Sequence, residues 1–337
     1  MTDRSSLRKV LLPLVPLYRL ALGVRSLSLR TGMQEVRRLG WPVISIGNLS
    51  TGGSGKTPLT IALAKALTGR GLRVNVLSRG YGRKSGIPAR VDREGTAEAF
   101  GDEPLLIARS TAVPVYVAPQ RYDAGLLAEA ERSADARPGI HLLDDGFQHR
   151  QLARDVDILL LNRRDWRDGL LPAGNLREPL AAARRADVIA IPAEEPELEM
   201  ALRMWGWEGP IWRVVRIMEV PEVSEPVAAF CGIARPDQFF EGLENAGVKL
   251  AVCTAFPDHF SYRARHLESL AAAAREAGAS ALVTTEKDRL RLGELARALP
   301  ASMPLKTAGL KVRIEDEDIA VDWLALQLAN HPAHLSL

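Results

Sequence analysis

The stretch "GNLSTGGSGKT", residues 47–57, lies between an apolar run and a segment with helical character. Its last three residues match the end of the phosphate-binding loop that joins a strand to a helix in many nucleotide-binding proteins. Ser50 stands where that loop normally has its first glycine. Gly52, Gly53 and Gly55 still allow the backbone N–H groups to turn toward an anion. The stretch therefore predicts a nucleotide site.

The end of this loop predicts how a nucleotide would be held. We expect Lys56 to reach the terminal phosphates and the hydroxyl of Thr57 to bind Mg²⁺. The helix that follows adds the positive end of its dipole. A glycine-rich turn with no ligand is the alternative interpretation. The predicted nucleotide-binding residues are Ser50, Thr51, Gly52, Gly53, Ser54, Gly55, Lys56 and Thr57.

Short apolar runs alternate with helix-like stretches along most of the chain. The runs "PVISIGN", "LRVNVLS", "GIHLLDD" and "VDILLLN" are typical of strands, and helical patterns separate several of them. This order predicts an α/β fold with a P-loop-type parallel sheet and helices on both faces. An acidic, proline-bearing stretch at residues 192–210 interrupts the alternation, which restarts near residue 224. We therefore expect a second, smaller α/β domain.

The chain of 337 residues is long enough for two domains. We expect residues 1–30 to form an amphipathic helix and residues 31–219 to form the P-loop nucleotide-binding domain. Residues 220–337 would supply a linker and the smaller domain, with the last helix packed back on the first domain.

Composition excludes some classes of protein. The formal net charge is only +3, which does not indicate a nucleic-acid-binding protein. Cys231 and Cys253 both stand in apolar runs, so we interpret them as small hydrophobic residues and not as ligands or nucleophiles. The absence of a disulfide framework favours a reducing compartment, the cytoplasm.

The N-terminal segment is apolar with basic punctuation. Pro13, Pro16 and Arg19 interrupt it, so its continuous apolar length is too short for a spanning helix. Such a helix would either pack on its own domain or lie in a membrane interface. Its expected apolar stripe consists of Leu11, Leu14, Val15, Tyr18 and Leu22.

Two adjacent carboxylates end the predicted strand in "IHLLDDGFQHR". Ligands of parallel sheets bind at the carboxyl ends of the strands, so Asp144 or Asp145 is expected to bind Mg²⁺. The position at the end of the strand favours Asp144. A solvated turn is the alternative. For the flanking His141 and His149 we expect a structural role, or a role in supporting the metal ligands, in preference to catalysis.

Three other stretches are rich in polar residues. "SRGYGRKSG" contains Arg79 and Arg83 and would either bind phosphate or form a mobile loop. "GDEP" places Asp102 at a predicted helix start, where it is either an N-cap or a general base. "FPDHF" places His259 after a strand of the second unit, where a structural role is the alternative to catalysis.

The stretches "GNLSTGGSGKTP", "SRGYGR", "GDEP", "LDDGFQH", "LREP" and "TTEKD" occur in this order. Together they resemble the tetraacyldisaccharide 4'-kinase family of lipid A biosynthesis in Gram-negative bacteria, and the resemblance extends to about Asp288. It implies transfer of the γ-phosphate of ATP, with Mg²⁺, to the 4'-hydroxyl of an acylated glucosamine disaccharide 1-phosphate, giving lipid IVA. It also implies peripheral attachment to the cytoplasmic face of the inner membrane. We expect neither a nucleic acid nor an obligate protein partner.

The resemblance also assigns roles to residues. It implies that Asp102 accepts the proton of the sugar hydroxyl, that His259 orients Asp102, and that Asp145 acts beside the metal. Thr57 and Asp144 would bind Mg²⁺. The basic residues expected to contact the acceptor lipid are Arg79, Arg83 and Arg177.

Two other functions stay open from the sequence alone. A P-loop kinase for a soluble sugar would need no apolar N-terminal helix. A nucleotide-switch module would be expected to prefer GTP, and the sequence has no convincing guanine-specifying N-K-x-D motif.

Overall fold

The computed structural model describes residues 10–53, 55–131, 138–300 and 302–329. Of the predicted nucleotide-binding residues, Ser54 lies outside the described residues. Residues 1–9 of the predicted N-terminal helix and residues 330–337 of the predicted smaller domain also lie outside them. The strands are β1 (Val43–Asn48), β2 (Val74–Ser78), β3 (Ala89–Arg90), β4 (Val115–Val117), β5 (Ile140–Asp144), β6 (Val156–Leu160), β7 (Val188–Pro192), β8 (Ile211–Glu219), β9 (Val227–Cys231), β10 (Leu250–Ala255), β11 (Leu282–Thr285) and β12 (Leu305–Ile314).

Helices precede, connect and follow these strands. Short 3₁₀ helices occur at Leu12–Leu14, Leu180–Arg185 and Gly293–Ala298. The α-helices are α1 (Val15–Arg30), α2 (Lys56–Gly69), α3 (Ala97–Phe100), α4 (Asp102–Ser110), α5 (Arg121–Ala130), α6 (Arg163–Arg167), α7 (Pro196–Met204), α8 (Pro236–Asn245), α9 (Ala264–Glu276), α10 (Glu286–Leu292) and α11 (Glu317–Leu328).

All the strands of the described residues join one sheet, in the order β10-β9-β11-β12-β8-β7-β6-β1-β5-β2-β4-β3. Neighbouring strands are parallel except in the pairs β12–β8 and β3–β4. The central strands read as continuous apolar runs because helices cover both of their faces, and every residue of β1 is buried. The predicted α/β fold with a parallel-dominant sheet is confirmed.

Helix α2 anchors the phosphate loop to the sheet. Its buried face includes Leu59, Leu63 and Leu67, which recur at helical spacing and pack in one cluster with the central strands. Leu324 of the last helix, α11, belongs to the same cluster. The loop between β1 and α2 is therefore held from both sides by rigid elements.

The second half of the sheet faces the first because of how β12 pairs. Leu305–Ala308 of β12 pair in parallel with β11, and Gly309–Ile314 pair antiparallel with β8. We call β1–β8 and their helices the first unit, and β9–β11 with α8–α10 the second unit. Strands of the second unit consequently run against those of the first, and the carboxyl ends of the two sets of strands face each other.

The N-terminal helix α1 has two apolar faces. Val15, Tyr18 and Leu22 pack against a core cluster of the first unit. Leu11 and Leu14, from the same predicted stripe, are exposed instead. The other exposed apolar side chains of this segment are Val10, Leu12, Leu17, Leu20, Val24 and Leu27. Among the described residues, no helix has the length and hydrophobicity that crossing a membrane requires.

Candidate active site

Two glycines of the phosphate loop adopt backbone conformations that favour glycine. Gly52 and Gly55 adopt φ values of 95° and 91°, which residues with a Cβ rarely tolerate. Gly55 is the N-cap of α2, so Lys56 and Thr57 form the first turn of that helix. Ser50 is buried, and its hydroxyl accepts a hydrogen bond of 3.0 Å from Asn48 Nδ2. The serine therefore shapes the start of the loop from inside the protein.

Two sequence motifs touch where β1 enters this loop. A Cβ on Gly47 would lie 2.5 Å from the Cβ and 2.8 Å from the backbone nitrogen of Phe147. Only glycine allows this approach between the phosphate loop and the loop after β5. The approach brings Asp144 and Asp145 to the phosphate loop.

Asn48, the last residue of β1, connects several groups of the site. Its side-chain oxygen accepts hydrogen bonds from Lys56 Nζ at 3.0 Å and from Arg177 Nη2 at 2.6 Å. Its backbone oxygen accepts one from Gln148 Nε2 at 2.8 Å. The sequence analysis missed Asn48, although it lies inside the motif that opened that analysis. An asparagine at a strand end carries no signal of such a role without the positions of its partners.

Asp145 is held by two cations. Arg177 forms a two-pronged contact with its carboxylate, at 2.9 and 3.1 Å, and Lys56 Nζ lies 3.6 Å away. Burial alone would raise the pKa of Asp145, but Lys56 and Arg177 hold that pKa well below its usual range. Asp145 has φ 50°, an uncommon conformation that points to a constrained loop. Arg177, predicted to contact the acceptor, contacts Asp145 and Asn48 in this structure.

Asp144 differs from its neighbour in charge environment. It is buried at the end of β5, where its carboxylate accepts a hydrogen bond from the Thr60 hydroxyl at 3.2 Å. Burial, together with repulsion from Glu103 and Asp145, raises the pKa of Asp144 to about 7. A divalent cation beside this carboxylate would favour its charged form. Thr57, the other predicted Mg²⁺ ligand, is buried in the first turn of α2.

Asp102 begins α4 on the first unit, close to the loop "SRGYG". A Cβ on the preceding Gly101 would lie 2.9 Å from the backbone oxygen of Tyr81, and Gly101 has φ 90°. Asp102 itself is only 5% exposed. No side-chain hydrogen bond caps the start of this helix, so the N-cap interpretation of Asp102 does not describe its position. Its carboxylate faces the second unit.

Two side chains of the second unit contact Asp102. His259 Nδ1 lies 3.3 Å from Asp102 Oδ2, and Arg291 Nε donates to the same oxygen at 2.8 Å. Burial alone would raise the pKa of Asp102, but the hydrogen bond from His259 and the charge of Arg291 hold it well below its usual range. The same hydrogen bond raises the pKa of His259. The family resemblance implied that Asp102 and His259 act together, and the sequence analysis missed Arg291.

A second contact between the units lies next to this one. Lys287 Nζ forms an ion pair of 2.5 Å with Glu103. Burial would lower the pKa of Lys287, but the charge of Glu103 raises it above its usual value. Asp288 is buried and accepts hydrogen bonds from Tyr262 and Arg291 at 3.1 and 3.0 Å. Residues of "TTEKD" therefore build the contact between the units, a role for which the sequence analysis gave no residue assignment.

The remaining predicted basic residues lie in different surroundings. The guanidinium of Arg83 donates to the backbone oxygens of Val117 and Ile87, at 3.3 and 2.7 Å, so it supports its own loop. Arg79 is exposed. Arg121, which was not among the predicted residues, is buried at the start of α5, and burial lowers its pKa to about 10.

The histidines that flank the aspartate pair occupy different environments. His141 is buried within β5, stacks on Trp41 with ring centres 5.1 Å apart, and lies 3.1 Å from Glu129. Burial and the positive charge of Arg121 lower the pKa of His149 to about 4. His141 belongs to the core, whereas His149 marks a strongly positive region beside Asp145.

A strand, a glycine-rich loop with Lys-Thr at the start of a helix, and paired aspartates at the next strand end define a P-loop-type nucleotide-binding protein. The family model described as "Tetraacyldisaccharide-1-P 4'-kinase" matches residues 7–329. The chain belongs to this family.

Relatives cover nearly the whole chain. A tetraacyldisaccharide 4'-kinase of Koribacter versatilis is 39% identical over 320 residues, which cover 92% of this chain and 96% of the relative. One of Geobacter metallireducens is 40% identical over 314 residues, covering 87% and 90%. A crystal structure of LpxK from Aquifex aeolicus, an "apo" form in complex with ATP, superposes with a TM-score of 0.72 at 34% identity, covering 96% of this chain and 99% of that chain.

Proposed function

We propose that this protein transfers the γ-phosphate of ATP to the 4'-hydroxyl of tetraacyldisaccharide 1-phosphate, as the names of its relatives state for them. One observation carries the proposal. The phosphate loop with Lys56 follows the carboxyl end of β1, and the carboxylate of Asp102 on the first unit contacts His259, which follows β10 of the second unit. A phosphoryl donor on the loop and an acceptor hydroxyl beside Asp102 would therefore meet between the two units.

The nucleotide would lie along the first turn of α2. The backbone N–H groups of the loop and Lys56 would hold the β- and γ-phosphates. A small pocket beside Gly55 is lined by the apolar residues Leu160, Ile191 and Val214 and by the polar residues Asn162 and Arg216.

Mg²⁺ suits the carboxylate of Asp144 at the end of β5 and the hydroxyl of Thr57 in the first turn of α2. Within the described residues, no group of three or more His, Cys, Asp or Glu side chains is arranged around a metal. Mg²⁺ in kinases commonly uses one or two protein ligands together with substrate phosphates. Asp144 and Thr57 would supply those two ligands, and the ion would neutralise charge that develops on the transferring phosphoryl group.

The acceptor would enter from the side of Asp102. The Asp102 carboxylate would take the proton of the attacking hydroxyl, while His259 and Arg291 fix its orientation. Arg121 and His149 lie in a positive region, and the charge of the exposed Arg79 acts on both of them. Such a region suits an acceptor that carries a phosphate. Arg83 would contribute by holding the shape of its loop.

The test is a transfer assay with ATP labelled at the γ-phosphate, Mg²⁺ and the tetraacyl disaccharide 1-phosphate in detergent micelles. Label is expected in the lipid. A matched reaction with a soluble glucosamine derivative examines the rival acceptor, and competition by GTP examines the nucleotide-switch function. Label that appears only as free phosphate, or only in the soluble sugar, would refute the lipid-kinase assignment.

We also propose that α1 attaches the protein to the cytoplasmic face of the inner membrane. Leu17 and Leu20 are 66% and 64% exposed on the face of α1 that points away from the protein. Arg19 and Arg30 are exposed along the same helix. An amphipathic helix with exposed leucines and arginines suits an anionic lipid surface.

The double substitution Leu17→Ser with Leu20→Ser is expected to weaken binding to anionic vesicles by at least about tenfold, since it removes two side chains that would enter the interface. Co-sedimentation with phosphatidylglycerol-containing vesicles measures the effect. The matched control is Leu126→Ser with Leu326→Ser, two exposed leucines elsewhere on the surface. Equal binding by both double variants would exclude α1 as the attachment site.

A further inference from the structure

The inner face of α1 reaches the phosphate-transfer site. The hydroxyl of Tyr18 donates a hydrogen bond of 2.8 Å to the backbone oxygen of Arg177. Two helical turns later, Arg25 Nη2 donates to the backbone oxygen of Gln148 at 2.7 Å. A third contact runs the other way, from Arg150 Nη1 to the hydroxyl of Ser26 at 3.0 Å. Three hydrogen bonds thus join α1 to two loops that build the site.

Both backbone positions held by α1 carry side chains that order the phosphate loop. Arg177 uses its guanidinium to hold Asp145 and the side-chain oxygen of Asn48. Gln148 donates from its side chain to the backbone oxygen of Asn48. Asn48 in turn accepts from Lys56. The paths through Arg177 and Gln148 therefore both end at Asn48.

We propose that Tyr18 is a positioning residue for phosphoryl transfer, and that α1 acts through it on Arg177, Asp145 and Asn48. This inference rests on the proposed kinase function. Tyr18 lies too far along the chain of contacts to touch the nucleotide, so its effect is on the geometry of Asp145 and Lys56. Small errors in such geometry lower turnover strongly while leaving ground-state binding largely intact.

The arrangement also gives the two faces of α1 different tasks. Leu17 and Leu20 point away from the protein, whereas Tyr18 and Leu22 face it. A helix that adsorbs to a lipid surface through its outer face would hold its inner face on the site. Substitutions on the two faces should consequently separate surface binding from turnover.

The test compares Tyr18→Phe with the wild-type full-length protein. Loss of the single hydroxyl is expected to lower kcat for lipid phosphorylation roughly tenfold, the effect of one lost hydrogen bond, with KM for ATP changed less than about threefold. Binding to anionic vesicles should stay at the wild-type level. Amide hydrogen exchange in residues 145–152 should become faster.

The matched control is Tyr116→Phe. It removes a hydroxyl that donates a hydrogen bond of 2.8 Å to Glu131 and takes no part in the contacts of α1. It is expected to keep the wild-type kcat and the wild-type exchange of residues 145–152. Arg25→Gln provides a second variant, with a smaller loss of kcat in the same direction because it removes the second path to Asn48.

The outcomes distinguish this inference from the proposed function. Wild-type kcat and wild-type exchange in Tyr18→Phe would overturn the positioning role. A wild-type protein that transfers no phosphate to the lipid would instead overturn the kinase function. In that event the exchange of residues 145–152 still decides whether Tyr18 orders the loop.

Discussion

Replacement of Lys56 by alanine is expected to lower kcat for phosphoryl transfer by at least about 100-fold, the loss measured when one charge-stabilising donor is removed from an active site. Lys56 is the first residue of α2 and points back to Asn48 and Asp145, with only 14% of its side chain exposed. Its ammonium group would neutralise the terminal phosphates as negative charge shifts during transfer. The measurement is lipid phosphorylation at saturating ATP.

Lys65→Ala is the matched control for this prediction. Lys65 lies on the same helix, α2, and is exposed. Its loss should leave kcat within about twofold of the wild-type value, because its charge is solvated. A thermal denaturation scan shows whether the Lys56 variant remains folded. A folded Lys56→Ala protein with more than one tenth of the wild-type kcat would show that the phosphates are held elsewhere.

The local elements of the site were accessible from sequence because each depends on neighbouring residues. The phosphate loop needs glycines at fixed positions, and Gly52 and Gly55 have the positive φ values that this requires. The paired aspartates follow an apolar run that β5 reproduces at Ile140–Asp144. Such signals extend over about ten residues and need no tertiary contact.

The contacts between the two units were not accessible in the same way. Arg291 and Asp102 are 189 residues apart, which no local motif spans. Their contact depends on how β12 pairs with β8 and β11. Glu103 and Lys287 are paired by the same topology. From the sequence alone, Arg291 on the short helix α10 is expected to be solvated. Its contact with Asp102 follows only from the position of the first unit.

The N-terminal helix shows a different limit of sequence reasoning. Periodicity grouped Leu11, Leu14, Val15, Tyr18 and Leu22 as one stripe. In the structure Val15, Tyr18 and Leu22 pack on the protein, while Leu11 and Leu14 are exposed. When a helix is apolar on two faces, its apolar residues do not concentrate on one side. Sequence periodicity then shows that an apolar face exists but not which face packs on the protein.

The pairing of Asp102 constrains how it would act as a base. Arg291 and His259 hold its pKa well below the usual range, so it is a weak acceptor for the proton of a neutral sugar hydroxyl. Phosphoryl transfer passes through a loose transition state, in which the attacking oxygen loses its proton late, after it has gained acidity from the forming bond. A low-pKa carboxylate that is rigidly oriented suits such a late transfer, and orientation by Arg291 is then worth more than basicity.

Asp102→Asn is accordingly expected to lower kcat by about 10³-fold, within the range for loss of general base catalysis, because the amide cannot accept the proton. The affinity for ATP should change less than about threefold, since Asp102 lies apart from the phosphate loop. Glu98→Gln, an exposed carboxylate on the preceding helix α3, is the matched control and should retain wild-type turnover. Nucleotide binding by Asp102→Asn, measured by calorimetry, shows that the variant is folded. If that folded variant kept a third or more of the wild-type kcat, Asp102 would only hold Arg291 and His259 in place, and the proton would leave through solvent.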